Sequence, residues 1–149
     1  MNTHQWNLKY IKWLSAEEMN EATKKWLSEL EFIRDEQHFF DNLLAKFPNE
    51  KVTYSYCYIR NLTVELGDLE KENELLLKVV LSHKNKLEIL LDGFNQIEQE
   101  QAYKEFHLEL LEAISMFLIK HKEVKKDIFK ISKSNLKDQK KKPLIISKS

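Results

Sequence analysis

Five histidines, one cysteine and 24 acidic residues are the groups from which this chain of 149 residues could assemble a reactive or metal-binding site. His83 and His107 come first. Antiparallel pairing of the helices described below sets them side by side and brings Glu17, Glu18 and Glu21 to the same end. Two imidazoles with a carboxylate suit zinc or another divalent ion. The spacings that mark helical metal sites are missing, however. No histidine has a glutamate three residues before it, as in ferritin-like di-iron bundles, and there is no His-Glu-x-x-His. Glu109 and Glu123 follow His107 and His121 by two positions, on a different helix face. Asp35 and His38, three apart, suit a surface hydrogen bond as well as a ligand pair. His83, His107, Glu17, Glu18 and Glu21 therefore stand as candidates only, and no cofactor is expected.

Catalysis by a nucleophile finds less support still. A reactive thiol needs a base or a charge that depresses its pKa. Cys57, the single cysteine, falls on the outward side of its helix with no histidine nearby. There is no strained serine turn and no glycine-rich phosphate loop, in a chain with only 2 glycines. The expectation is a protein that is not an enzyme. A lone cysteine and the lack of a signal-peptide pattern suit a cytoplasmic setting. No stretch approaches the roughly 20 apolar residues that span a bilayer.

The elements that position these groups must be few and long, because 2 glycines and 2 prolines supply few turns. Ser15–Glu18 reads as a capping box. From it a row of Met19, Trp26, Leu30, Ile33, Phe40, Leu44 and Phe47 recurs at steps that compose heptads, with Thr23 and Gln37 in the two gaps. Pro48 stops it. The first long helix is therefore expected over 16–46.

The next stretch, Val52 to Arg60, alternates like a strand when read alone. It has no partner strand, and it joins longer rows: Val52, Ile59, Leu66, Asn73, Val80 and Leu87, beside Ser55, Leu62, Leu69, Leu76, His83 and Leu90. A sustained period outweighs local propensity. The second helix is expected over 50–91, capped by Asn49, with Tyr56 and Tyr58 widening an aromatic plug near Phe39–Phe47, Ile128 and Phe129. A third helix over 96–132 carries Tyr103, Leu110, Phe117, Val124 and Ile131, beside His107, Ile114, His121 and Ile128. Trp6, Tyr10 and Trp13 form an aromatic stripe on a short helix over 3–14. The stripe is a candidate partner-binding surface, or packs on the bundle.

The fold expected is all-α: an elongated antiparallel bundle of three long helices plus the short N-terminal one, forming one domain over 1–133. Asn73, Gln37 and His121 are polar residues in the apolar rows, expected to fix register through buried partners. Asn73 is expected near Ser115 or Trp26, and Gly67 opposite the ring of His121 or at a kink.

The net charge is zero but uneven. From Lys120 onward there are 11 lysines and 3 acidic residues, a net of +8, so residues 1–119 carry −8. Residues 134–149 are expected to be a disordered basic tail. It has no arginine, the residue that reads bases, so nucleic acid is a partner only through a nonspecific lysine contact. The function expected is a protein–protein interaction or scaffold module, acting on an unidentified protein or on itself. A metal- or small-ligand-binding bundle using His83 and His107 is the alternative.

Overall fold

A computed structural model describes residues 14–47, 55–93 and 97–146, with the side chains of 97–99 and 137–146 outside the description. Three helices account for almost all of it: α1, Ala16–Lys46; α2, Tyr56–Asp92; and α3, Ile97–Ile146. Among the described residues there is no strand. The short helix over 3–14, with Trp6, Tyr10 and Trp13, lies outside the described residues up to position 13, as does the Asn49 cap.

α1 begins where its capping residues require. The Glu18 amide donates to the Ser15 hydroxyl at 3.1 Å, which satisfies one of the first-turn donors. Leu14, just before the cap, shares a buried cluster with Met19, so the chain enters the helix over an apolar staple.

α2 starts later than expected, at Tyr56 instead of Glu50. Ser55 is the reason. It is exposed, and its hydroxyl accepts the Tyr58 amide at 3.2 Å, so it serves as a cap and not as an inward-facing row member. Ile59 is the first buried residue of the helix. Tyr58 is half-buried, whereas Tyr56 is 64% exposed and adds nothing to an aromatic plug. α2 passes Gly67 as unbroken helix. A Cβ at Gly67 would meet nothing within 4 Å, so no His121 ring fills that place.

α3 runs past its expected end near Ser132 to Ile146, and the stretch expected to be disordered from 134 is helical to that point. The buried row explains the extension as far as Asn135. Ile128, Ile131 and Asn135 continue it at steps of three and four, and lysine, glutamine and leucine in this stretch favour helix. The polar Asn135 hid the continuation.

The contacts divide the described chain into two compact units. One comprises the residues up to Ile33 with Asn73–Phe117, and the other Arg34–Glu72 with the residues from Leu118. Each unit draws on all three helices. In the first, Met19 clusters with Leu87 and Leu90, and Asn73 reaches the Leu30 carbonyl, so α1 and α2 are antiparallel. In the second, Glu36 meets Lys125 and Phe40 meets Phe129, so α1 and α3 are parallel. Short connections between sequential helices produce this order.

The predicted rows form the core. Met19, Leu30, Leu66, Val80, Leu87, Ile114, Phe117 and Ile128 are all buried, each contributing about 1.5–3 kcal/mol by leaving water. Trp26 and Tyr103, also row members, are half-buried.

Candidate functional site

Four groupings of side chains stand out, one in the first unit and three in the second.

In the first unit, one turn of α2 and one of α3 place His83 against His107. Nε2 of His83 and Nδ1 of His107 share a hydrogen bond at 3.0 Å, with both residues buried. Trp26 stacks on His107 at 4.5 Å between ring centroids, and Phe106 meets His83 edge-on at 5.2 Å. Burial in this aromatic setting pushes His83 down to about 4, helped by the charge of Lys86. His107 is likewise pushed down to about 4, first by burial and then by His83. Both imidazoles are therefore neutral at pH 7. Their outer nitrogens, Nδ1 of His83 and Nε2 of His107, are buried with no hydrogen-bond partner.

This geometry is that of one ring N–H donating to the facing ring nitrogen. A metal held by both rings would need their lone pairs to converge on a third point about 2.0–2.1 Å from each nitrogen. The facing nitrogens instead point at one another. Of the expected carboxylates, Glu17 and Glu18 are exposed and Glu21 pairs with Lys24 at 3.4 Å. Among the described residues no group of three or more histidine, cysteine or acidic side chains is placed to hold a metal ion. The structure thus brings the two histidines together without the glutamates. Asn73, also buried in this unit, donates from Nδ2 to the Leu30 carbonyl at 3.0 Å, a partner not anticipated from pairing alone.

In the second unit, Glu36 gathers a lysine and a histidine. Lys125 Nζ donates to its carboxylate at 2.9 Å and 3.2 Å, and His121 Nε2 lies 3.4 Å from Oε1. His121 is buried, with the Phe40 ring 6.4 Å away. Its pKa is lowered by burial, partly restored by Glu36, and lowered again by Lys125. Gln37, the third polar row residue, is buried nearby in sequence on the same helix.

The same unit holds a carboxyl pair, Asp41 and Glu70. Burial raises Glu70 to about 7, and the hydrogen bond and negative charge of Asp41 add to the shift. Neither Glu36 nor Glu70 was singled out in advance. Each sits beside a row residue, Gln37 and Leu69, at the flanking positions where coiled coils place charges, and that is the signal by which they are found.

The last grouping is a groove in the second unit between α1 and α3. Phe39, Phe129 and Leu136 form its lips at 60%, 45% and 57% exposure, and Phe47 is buried in its floor. It encloses about 430 Å³. Among the described residues, Lys46 and Lys133 are its charged lining residues and no carboxylate lines it. Cys57 is exposed and free, with no role in any of these groupings. The lysines after Leu136 fall where side chains are not described.

Among the described residues no helix is long and apolar enough to cross a membrane. Comparison with known proteins finds no matching family, no similar curated protein and no similar solved structure.

Proposed function

We propose that this chain is a non-enzymatic helical-bundle module that docks another protein through the groove of its second unit. The observation that carries this reading is the concentration of large apolar side chains at that groove. Phe39, Phe129 and Leu136 lie at the surface although the buried rows beside them are already filled. Contiguous exposed apolar surface of this kind marks interaction sites. The titratable clusters favour structure over catalysis. The His83–His107 pair is enclosed by rings, and the Glu36 carboxylate is occupied by Lys125 and His121.

Site-specific photo-crosslinking in the native host tests the reading. A photoreactive side chain at Phe39 or Leu136 is expected to give a discrete adduct with a second protein. The same group at the exposed Glu29 in the first unit is expected to give none. Equal yields at all three positions, or no adduct at the groove, would refute it.

A further inference from the structure

The geometry points to a definite class of occupant: we propose that the groove of the second unit receives an amphipathic helix with carboxylates along its flanks. This deepens the interaction-module reading and rests on it.

Three features select such an occupant. The first is backbone chemistry. The groove walls are helices α1 and α3, whose interior amide and carbonyl groups are paired within each helix. An extended peptide gains its affinity from ladder hydrogen bonds to an open strand edge, and among the described residues there is no strand. Strand addition is therefore not the mode, and a helix, which pairs its own backbone, suits these walls. The second is size. From Phe39 to Phe47 along α1, and from Phe129 to Leu136 along α3, the lining spans about 10–12 Å at 1.5 Å per residue. That length matches about two turns of a partner helix, which would present anchors at i, i+3 or i+4, and i+7. The third is charge. Lys46, in the last turn of α1, and Lys133 on α3 line the groove, with no carboxylate among the described lining residues. Among the described residues neither lysine pairs with a carboxylate, and a flanking glutamate or aspartate on the occupant would meet either one.

The test uses the full chain and two synthetic helical peptides. Both carry leucines three and four apart, one with glutamates along its flanks and the other with lysines. Fluorescence anisotropy reads the affinities at low and moderate salt. The glutamate peptide is expected to bind at least about tenfold tighter than its lysine twin. The double variant Lys46→Glu with Lys133→Glu is expected to reverse that preference. Phe39→Ala, at an exposed position where the fold is retained, is expected to weaken both peptides by about fivefold or more. Circular dichroism checks that each variant keeps its helices.

Equal affinity for the two peptides, a preference untouched by the charge reversal, or no binding of either peptide would overturn the proposal. Co-sedimentation with anionic phospholipid vesicles that needs Phe39 and Lys133, without peptide binding, would assign the surface to a membrane and overturn it too. The crosslinking experiment separates the two levels. A protein adduct at Phe39 with no peptide preference leaves the module reading standing and removes the acidic helix. An adduct from Phe39 to residues 48–54 of the same chain would show the groove covered by the protein itself and remove both.

Discussion

The two units each bury histidine among helices and surround it differently. In the first, His83 meets His107 between Trp26 and Phe106, and each ring is pushed down to about 4. In the second, His121 meets Glu36, itself held by Lys125, and the carboxylate opposes part of the effect of burial. An equally buried imidazole thus differs in proton affinity according to whether its neighbour brings negative charge or only aromatic surface. The second unit also contains the opposite case, Glu70 raised to about 7 beside Asp41. Acid should therefore weaken the first unit through its histidines, whereas in the second the loss through His121 is opposed by Glu70.

The largest effect lies in the histidine pair. Its folded pKa values are below the ordinary 6.5, so the unfolded chain binds protons first as the pH falls. Stability is complete above 6.5 and is lost on the way down to about 4, by on the order of 3 kcal/mol for each histidine. Urea denaturation across this window should show the loss. The double variant His83→Leu with His107→Leu should flatten it and stay near wild-type stability at pH 7, since both partners and two buried unpaired nitrogens go together. His83→Leu alone strands His107 and should cost about 1–3 kcal/mol. An acid profile unchanged in the double variant would break the contrast.

Next comes the carboxylate that distinguishes the second unit. Glu36→Gln should cost about 1–2 kcal/mol, allowing for partial exposure of Lys125. It should also move the His121 titration, followed by NMR, further below its ordinary value. A His121 titration that does not move would remove Glu36 as its controlling partner.

Glu70 has the reverse sign. Its raised folded pKa favours the folded state below 4.5, and that contribution is lost as the pH rises through about 7. Glu70→Gln should remove this slope and raise stability at pH 8 by less than about 2 kcal/mol, because the residue is only half-buried. Hydrogen exchange resolved along the chain would place the change in the second unit. Smallest is Gly67→Ala in that unit. Open space around the missing Cβ leaves only the helix propensity gain, about 1 kcal/mol of stabilisation, measured by thermal unfolding. A destabilised variant would mean that α2 needs glycine there for a reason other than space.

Much of the fold was legible because heptad spacing is a local property. The bounds of α1 followed from the Ser15 cap and Pro48, and the buried rows of α2 and α3 followed from apolar recurrence. The errors fell where a polar residue did two jobs. Ser55 suited a row position by number and is a cap by geometry. Asn135 looked like the start of a polar tail and is buried in the row. The pairing of His83 with His107 came from counting residues back from the turn, which is accurate to about a helical turn. The same counting failed for Gly67 and His121, where less than a turn decides contact.

By itself, then, the sequence determined three helices and which face of each leaves water, since period and burial are properties of one helix at a time. Only the tertiary structure decided what each buried polar group meets. The His83–His107 hydrogen bond, the Glu36–Lys125–His121 cluster, the Asp41–Glu70 pair and the groove floored by Phe47 all depend on the register between helices. Register shifts of a few ångströms leave the apolar pattern satisfied but exchange the partners of every polar side chain, because hydrophobic burial is non-directional and hydrogen bonds are not.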